Sequence, residues 1–386
     1  MISTKAIEAF QSIPTPFYYY DINVLRATLQ KYISLANSYN YHAHYALKAN
    51  AEPRILQEIV AAGFGADCVS GNEVALAIKS GFAPDKIVYA GVGKSDREIE
   101  LALDADIFCF NCESIPEIEV INELAGAKNK KVKIAVRINP DVDAHTHKYI
   151  TTGKRQNKFG ISPWAFDELL ESIKKCSNIE LIGLHFHVGS QILNLSVFEE
   201  LCRKVNVLQE WFNERGVFFP NINLGGGLGV DYVAPNENSI TDFETYFEII
   251  NKTLKVQEGQ NVHFEPGRTL VGQCGHLISK VLYVKKGKGM KFAILDAGMN
   301  DLIRPALYQA VHKVENLTST GRLLKYDIVG PICESSDCWG RGIKLPETKR
   351  GDIIAIHTAG AYGQVMGMKY NQKDLAKAYY SDELER

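Results

Sequence analysis

The sequence predicts an α/β fold in which a (β/α)8 barrel of the TIM type is followed by a β-rich domain. Eight short apolar runs alternate with segments whose apolar residues have helical spacing, which indicates parallel strands joined by right-handed crossovers. The eight units occupy roughly 250 residues, the usual size of such a barrel. After about residue 270 helical spacing becomes scarce, so a domain of another kind follows the barrel.

The predicted strands are apolar runs of strand length, many of them rich in β-branched and aromatic residues. They cover residues 43–49, 65–70, 87–92, 107–112, 132–138, 180–188, 221–226 and 262–266. Helical spacing between them is clearest after Pro53 and after Asn72. A doubly wound open sheet is the alternative architecture, but it seldom contains eight regular units, so the barrel is preferred.

The second domain is predicted over residues 271–386, after a barrel domain over residues 25–270. Its first element is a hairpin, because residues 277–284 and 291–296 flank Lys-Gly-Lys-Gly. Further strands are expected near Tyr326 and Asp352, and helix-like spacing returns only from Lys373 onward. The N-terminal segment 1–24 contains a β-like run and is expected to pair with this domain.

Composition excludes several classes of function. The chain has 386 residues, of which 46% are hydrophobic and 23% charged, which is typical of soluble globular proteins. The net charge of -2 argues against nucleic acid or an anionic membrane as a partner. No signal peptide and no apolar stretch of roughly 20 residues is visible, so a cytoplasmic location and free thiols are expected.

Two charged residues at strand ends are the first candidates for catalysis, since a barrel of this class has its active site at the carboxyl ends of its strands. Lys48 ends the first strand between apolar neighbours, where burial would lower the pKa of its amine and favour a Schiff base. Glu265 follows the eighth strand. The other polar residues at strand ends are Asp67, Ser70, Arg137, Asn139, His185, His187 and Ser190.

A glycine-rich loop, Gly225-Gly226-Gly227-Leu228-Gly229, follows the seventh strand, where barrels commonly bind phosphate through backbone N–H groups. A tight turn without a ligand is the alternative reading of this loop. A Schiff-base lysine, a phosphate site and a carboxylate for a ring nitrogen together describe pyridoxal phosphate. An ion pair between Glu265 and Arg268 is the structural alternative, and both roles are compatible.

Three His-x-His pairs, at 42/44, 145/147 and 185/187, raise the hypothesis of a metal site. No cysteine or carboxylate cluster joins them at ligand spacing, so no metal is expected. His187 is instead interpreted as a ring that packs against a flat cofactor. Cys109 and Cys112 lie in an apolar strand and are interpreted as core thiols rather than a redox motif.

Five motifs resemble those of the diaminopimelate decarboxylases, which belong to the alanine-racemase-like, fold-type III group of pyridoxal phosphate enzymes. They are Tyr45–Asn50, His185–Gln191, Gly225–Gly229, Glu265–Arg268 and Gly330–Asp337. The resemblance extends from about residue 14 to about residue 371. Cys333-Glu334 distinguishes it from ornithine-decarboxylating relatives, which carry Asp after that cysteine. The chain departs from the family pattern after Met366, but no site residue is lost.

The resemblance implies a role for each matching residue. The cofactor would be bound by Lys48, His187, Ser190, Gly225, Gly226, Gly227, Glu265, Pro266, Gly267, Arg268 and Tyr362. The substrate would be bound by Arg268, Arg304 and Tyr308 at a carboxylate, by Glu334 at the distal ammonium, and by Tyr362. Cys333 would be the proton donor, and in this family it comes from the partner subunit of a homodimer.

The expected activity is therefore the pyridoxal phosphate-dependent decarboxylation of meso-diaminopimelate to lysine. Decarboxylation of ornithine, arginine or carboxynorspermidine is the first alternative, and a non-catalytic cofactor-binding regulator is a remote one. A racemase would need two opposed bases rather than a thiol donor. The polar loop 139–160 at the catalytic face is either a lid or a surface insertion.

Overall fold

The structure is a computed structural model that describes residues 2–140 and 158–385. Its strands are β1 Phe17–Tyr20, β2 Tyr41–Ala46, β3 Gly65–Cys68, β4 Ile87–Tyr89, β5 Cys109–Cys112, β6 Val132–Arg137, β7 Ile179–His185, β8 Asn221–Asn223, β9 Asn261–Phe264, β10 Gly275–Lys286, β11 Lys291–Leu295, β12 Val314–Asn316, β13 Leu323–Val329, β14 Cys338–Pro346, β15 Ile353–Ile356 and β16 Lys377–Tyr380. Its helices are α1 Thr4–Phe10, α2 Ile22–Ser38, α3 Pro53–Ala61, α4 Gly71–Ser80, α5 Asp96–Asp104, α6 Ile115–Ala127, α7 Phe166–Lys175, α8 Ser196–Asn213, α9 Phe243–Thr253, α10 Arg268–Val271, α11 Arg304–Tyr308 and α12 Ser381–Leu384. The expected lid and the pair His145/His147 lie wholly or largely outside the described residues.

The chain forms two compact units. One comprises Leu29–Gly229 and Asp242–Gly267, and the other comprises Met1–Thr28, Val230–Thr241 and Arg268–Arg386. We call the first the barrel unit and the second the β-rich unit. The domain boundaries expected at residues 24 and 270 stay a prediction.

The barrel unit is a closed barrel of eight parallel strands in the order β2 to β9, which confirms the predicted fold class. The barrel closes where Tyr41 of β2 lies opposite Val262 of β9. Most strands are buried along most of their length, as expected for a parallel sheet covered by helices. The buried side chains of the barrel strands therefore support the polar groups that follow at the strand ends.

Local sequence explains the boundaries of the connecting helices. Ser70 accepts a hydrogen bond from the backbone N–H of Glu73 at the start of α4, and Gly81 ends this helix at φ 96°. Ser114 caps α6 in the same way through the N–H of Glu117. The two serine caps therefore fix where the loops after β3 and β5 end.

The strands are shorter than the sequence predicts, and the difference matters at Lys48. The first barrel strand ends at Ala46, whose N–H donates to the Pro266 carbonyl at 3.1 Å. Residues Leu47–Ala49 then form a single 3-10 turn. Lys48 therefore lies in a turn above the strand rather than at its last position.

The β-rich unit contains an eight-stranded sheet in the order β12-β15-β10-β11-β13-β14, with β1 pairing with both β10 and β16. The hairpin β10–β11 is present as predicted. The expectation of helix from Lys373 onward was largely wrong, because Lys377–Tyr380 form a strand parallel to β1. Aromatic contacts of Tyr379 and Tyr380 with β1 stabilise this pairing, which local spacing cannot reveal.

Candidate active site

The turn after the first barrel strand places Lys48 next to a buried carboxylate. Its Nζ donates to Oδ2 of Asp67 at 3.2 Å, and Asp67 is the third residue of β3. The Lys48 side chain is 36% exposed whereas that of Asp67 is 1% exposed, so the amine is open to a ligand. The other oxygen of Asp67, Oδ1, has no hydrogen-bond partner among the described residues.

Glu265 follows β9 and is held inside the barrel by three side chains. Its Oε1 accepts from Asn111 at 3.2 Å and from Asn223 at 2.8 Å, and its Oε2 accepts from His185 Nε2 at 3.0 Å. Burial alone would raise the pKa of Glu265, but His185 and then Lys48 outweigh it and hold that pKa well below its usual range. The carboxylate is therefore ionised and fixed in direction.

The pKa of Asp67 is shifted in the opposite direction, because this carboxyl group has fewer hydrogen bonds than that of Glu265. Burial and then the Glu265 charge raise the pKa of Asp67 to about 7, although Lys48 opposes the shift. Two carboxyl groups in one barrel therefore have pKa values that are shifted in opposite directions. This separation of pKa values is typical of a functional site.

The glycine loop after β8 approaches the rest of the site too closely for side chains. A Cβ on Gly225 would lie 2.2 Å from the Phe186 carbonyl oxygen, and one on Gly226 would lie 2.2 Å from that of Glu265. Gly225 and Gly227 also have φ values of +71° and +116°. Glycine is therefore required at these positions. The Gly225 N–H donates to Oδ1 of Asn223 at 2.9 Å, which helps to fix the course of the loop.

His187 is oriented by this same loop. Its Nδ1 accepts a hydrogen bond from the Gly226 N–H at 3.3 Å. Burial, followed by the charges of Arg137 and Lys48, lowers the pKa of His187 well below its usual value, so its ring is neutral. Ser190 lies in the following loop and is half-buried. A neutral, oriented ring suits contact with a flat aromatic ligand.

The turn after Glu265 packs against the Lys48 turn. The Pro266 carbonyl accepts from the Ala46 N–H, and a Cβ on Gly267 would lie 3.1 Å from the Cβ atoms of Ala46 and Ala49. These contacts lock together the two turns that carry Lys48 and Glu265.

In the β-rich unit, two buried arginines surround Tyr232. Arg268 Nη1 donates to the Tyr232 hydroxyl at 2.7 Å, and the Cζ of Arg304 lies 4.9 Å from the centre of the Tyr232 ring. The Arg268 guanidinium also lies 4.8 Å from the Tyr362 ring, and Tyr308 is half-buried at the end of α11. Buried guanidinium groups of this kind are suited to bind a carboxylate.

Cys333 and Glu334 are both exposed on the β-rich unit. The Tyr370 hydroxyl donates to Oε1 of Glu334 at 2.6 Å and so orients its carboxylate. Six of the other seven cysteines are buried, including Cys109 and Cys112, whose pKa values are raised by burial. Cys333 is therefore the thiol that a ligand can reach most readily.

The sequence predicts Lys48, Glu265, His187 and the glycine loop as site residues, but it does not predict the side chains that contact Glu265. Asn111 and Asn223 are polar residues within buried strands, a signal that could have marked them. No pattern in the sequence marks Tyr232 as a site residue. Arg137, noted at a strand end, donates to the buried Glu113 carboxylate at 2.6 Å and is a structural ion pair.

No cluster of three or more His, Cys, Asp or Glu side chains among the described residues is arranged to hold a metal ion. None of the helices in the part of the chain that the structure describes is both long and apolar enough to cross a membrane.

Comparisons with known proteins agree on one family. The family model described as "Pyridoxal-dependent decarboxylase, pyridoxal binding domain" matches residues 25–272. A diaminopimelate decarboxylase of Bacteroides thetaiotaomicron is 56% identical over 379 residues, which cover 98% of each chain.

Two crystal structures, both of diaminopimelate decarboxylases in complex with L-lysine, extend this agreement to the fold. The Helicobacter pylori structure has a TM-score of 0.91 at 38% identity, covering 97% of this chain and 93% of its own. The M. jannaschii structure has a TM-score of 0.90 at 33% identity, covering 98% and 90%.

The residues described above fit pyridoxal phosphate. The Lys48 amine suits its aldehyde, the ionised Glu265 carboxylate suits its ring nitrogen, and the glycine loop, which side chains would fill, suits its phosphate. With its closed barrel, its matched domain and its near full-length relatives, the chain belongs to the diaminopimelate decarboxylase family of pyridoxal-dependent decarboxylases.

Proposed function

We propose that this protein decarboxylates meso-2,6-diaminopimelate to L-lysine, the last step of lysine biosynthesis, as a carbon–carbon lyase. The observation that carries the chemistry is the presence, within one barrel, of an accessible Lys48 amine and an ionised Glu265 carboxylate. The substrate is supported by the relative of 56% identity, which bears the name of that activity.

The barrel unit would hold the cofactor. Lys48 would bind it covalently and His187 would lie against its ring, while Glu265 would keep a proton on the ring nitrogen. Ser190, the glycines 225–227 and the turn of Pro266, Gly267 and Arg268 would bind the phosphate, with Tyr362 as a further contact. When bound, pyridoxal phosphate accepts the electron pair that remains on the substrate Cα after carbon dioxide leaves.

Substrate roles fall to the β-rich unit. Arg268, Arg304 and Tyr308 would bind the carboxylate that the product retains, because strong ion pairs to the departing carboxylate would stabilise the ground state and oppose its loss. Glu334, oriented by Tyr370, would bind the distal ammonium. Cys333 would give the proton of its thiol to Cα.

A substrate panel tests this function. We expect carbon dioxide release from meso-diaminopimelate and little from ornithine, arginine or carboxynorspermidine, since only the first combines a distal ammonium with a retained carboxylate. If the enzyme prefers one of the other three compounds, the proposed substrate is wrong but the proposed cofactor is unaffected. No turnover with any of them, together with bound cofactor, would favour a regulator.

The covalent role of Lys48 is tested by Lys48→Ala. The wild-type holoenzyme should show visible absorbance that borohydride removes, and the variant should lack that band. Retention of the band in the variant would contradict the assignment.

We further propose that the enzyme is a cytoplasmic homodimer in which Cys333 acts in the site of the partner subunit. The exposure of Cys333 and Glu334 on the single chain supports this arrangement. Inactive Lys48→Ala and Cys333→Ala proteins, mixed after dissociation, should recover about a quarter of wild-type activity, because heterodimers would contain one intact site. Heterodimers without activity would exclude shared sites, and cell fractionation tests the location.

A further inference from the structure

We infer that His312 is a positioning residue that orients Arg304 for binding of the substrate carboxylate. The inference rests on the role proposed for Arg304 and adds the residue that fixes the direction of its guanidinium. All the groups involved lie in the β-rich unit.

Arg304 has an unusual environment for a buried cation. It is 5% exposed, and none of the ion pairs among the described residues joins it to a carboxylate. Its Nη1 donates to Nε2 of His312 at 2.8 Å. Its Nε is buried and has no hydrogen-bond partner among the described residues. A guanidinium in this state retains the capacity to bind an anion.

The hydrogen bonds of His312 determine its tautomer. Nδ1 lies 2.8 Å from the His357 carbonyl oxygen, which can only accept, so Nδ1 carries the proton. Nε2 faces a guanidinium, which can only donate, so Nε2 has a lone pair. Burial and then the Arg304 charge lower the pKa of His312 to about 3, so the ring stays neutral across the working pH range.

Backbone hydrogen bonds hold in place the His357 carbonyl that Nδ1 of His312 contacts. The His357 N–H donates to the Lys313 carbonyl at 2.9 Å, next to the antiparallel register of Val314 with Ile356. The carbonyl that anchors His312 is therefore held by two strands of the sheet. The Tyr232 ring adds an edge contact to His312, with centroids 5.0 Å apart and an interplanar angle of 82°.

The Tyr232 hydroxyl also interacts with the Arg304 guanidinium, and Nε is the nitrogen without a hydrogen-bond partner among the described residues. Nη1 is committed to His312, whereas Nε and Nη2 share the side-on edge that binds a carboxylate through two parallel hydrogen bonds. If the Nε2 acceptor of His312 were lost, Arg304 would turn its Nη1 toward another acceptor and this edge would no longer be aligned. His312 therefore contributes affinity without touching the substrate.

The matched variants are His312→Asn and His312→Gln. Asn can replace Nδ1 as donor to the His357 carbonyl but is too short to reach Arg304. Gln reaches Arg304 with an amide oxygen and restores the acceptor. Binding of L-lysine to the holoenzyme is compared with that of 1,5-diaminopentane, which lacks only the carboxylate.

We expect His312→Asn to weaken L-lysine binding by about tenfold or more and to leave diamine binding within about threefold of wild type. His312→Gln should recover most of the L-lysine affinity. In turnover, His312→Asn should raise KM more than it lowers kcat. If His312→Asn does not yield folded holoenzyme, His312→Leu and the Gln variant make the same comparison, with melting temperature as the measure of folding.

Arg304→Gln separates this inference from the proposed function. If Arg304→Gln leaves L-lysine binding unchanged, the proposed role of Arg304 is wrong. If Arg304→Gln weakens it while His312→Asn does not, only the positioning role is wrong. Equal loss of both ligands, or failure of Gln to recover affinity, would also overturn the positioning role.

Discussion

Replacement of Asp67 by Asn is expected to change how the stability of the cofactor-free protein depends on pH. Asp67 is almost completely buried, and burial and the Glu265 charge raise its pKa from 3.8 to about 7. Asn has nearly the same shape and stays neutral at every pH. The variant therefore removes the ionisation of this carboxyl group while keeping the packing around it.

The magnitude follows from the two pKa values. Because the pKa is raised in the folded state, the contribution of Asp67 favours folding fully below about pH 4 and is lost as pH rises through about 7. Each pKa step is about 1.4 kcal/mol, so the full loss is on the order of 4 kcal/mol, and about 3 kcal/mol of it falls between pH 5 and pH 8.

The assay is urea unfolding of wild-type and variant protein, without cofactor, at a series of pH values from 5 to 8. The free energy of unfolding of the variant minus that of wild type should increase by about 3 kcal/mol across this range. Subtraction removes the titration of every group whose pKa the substitution leaves unchanged. Parallel pH profiles, or a variant that loses stability relative to wild type as pH rises, would show that the pKa of Asp67 is not raised in the folded protein.

Three further substitutions test the site. Gly226→Ala brings a Cβ to 2.2 Å from the Glu265 carbonyl and should weaken cofactor binding by at least about tenfold in an absorbance titration; Gly93→Ala, whose Cβ would meet nothing within 4 Å, is its control. Glu265→Gln places an amide N–H against the donors of its neighbours and removes the charge, so kcat should fall by about 10²-fold in a stopped assay. A variant with normal kcat would remove Glu265 from the mechanism. Cys333→Ala should lower turnover by about 10²-fold or more while cofactor absorbance is unchanged; unchanged turnover would exclude this thiol as proton donor.

The barrel was predictable because its signal is local and repeated. Each unit contains one apolar strand and one amphipathic helix, and eight repeats of this pattern leave few alternative topologies. Lengths were less predictable, since a strand ends where its neighbours stop pairing. The strand before Lys48 ends at Ala46, because Leu47–Ala49 turn into a 3-10 helix above the barrel.

Strand β16 is a second element that the local sequence does not predict. Residues after Lys373 have helical spacing, yet Lys377–Tyr380 extend alongside β1, which lies more than 350 residues away in sequence. Pairing with the sheet and contacts among tyrosine and phenylalanine rings override the local preference.

Sequence alone determined the fold class, the family and the residues that suit pyridoxal phosphate, because parallel strands in a barrel direct all their carboxyl ends to one face. It could not determine charge and orientation at that face. Glu265 is ionised because His185, Asn111 and Asn223, contributed by three other strands, meet at its two oxygens. Asp67 titrates near neutral pH because it is buried close to that charge. Both properties depend on burial and on distances between residues far apart in the chain, so they follow from the packing of the folded protein and not from local sequence.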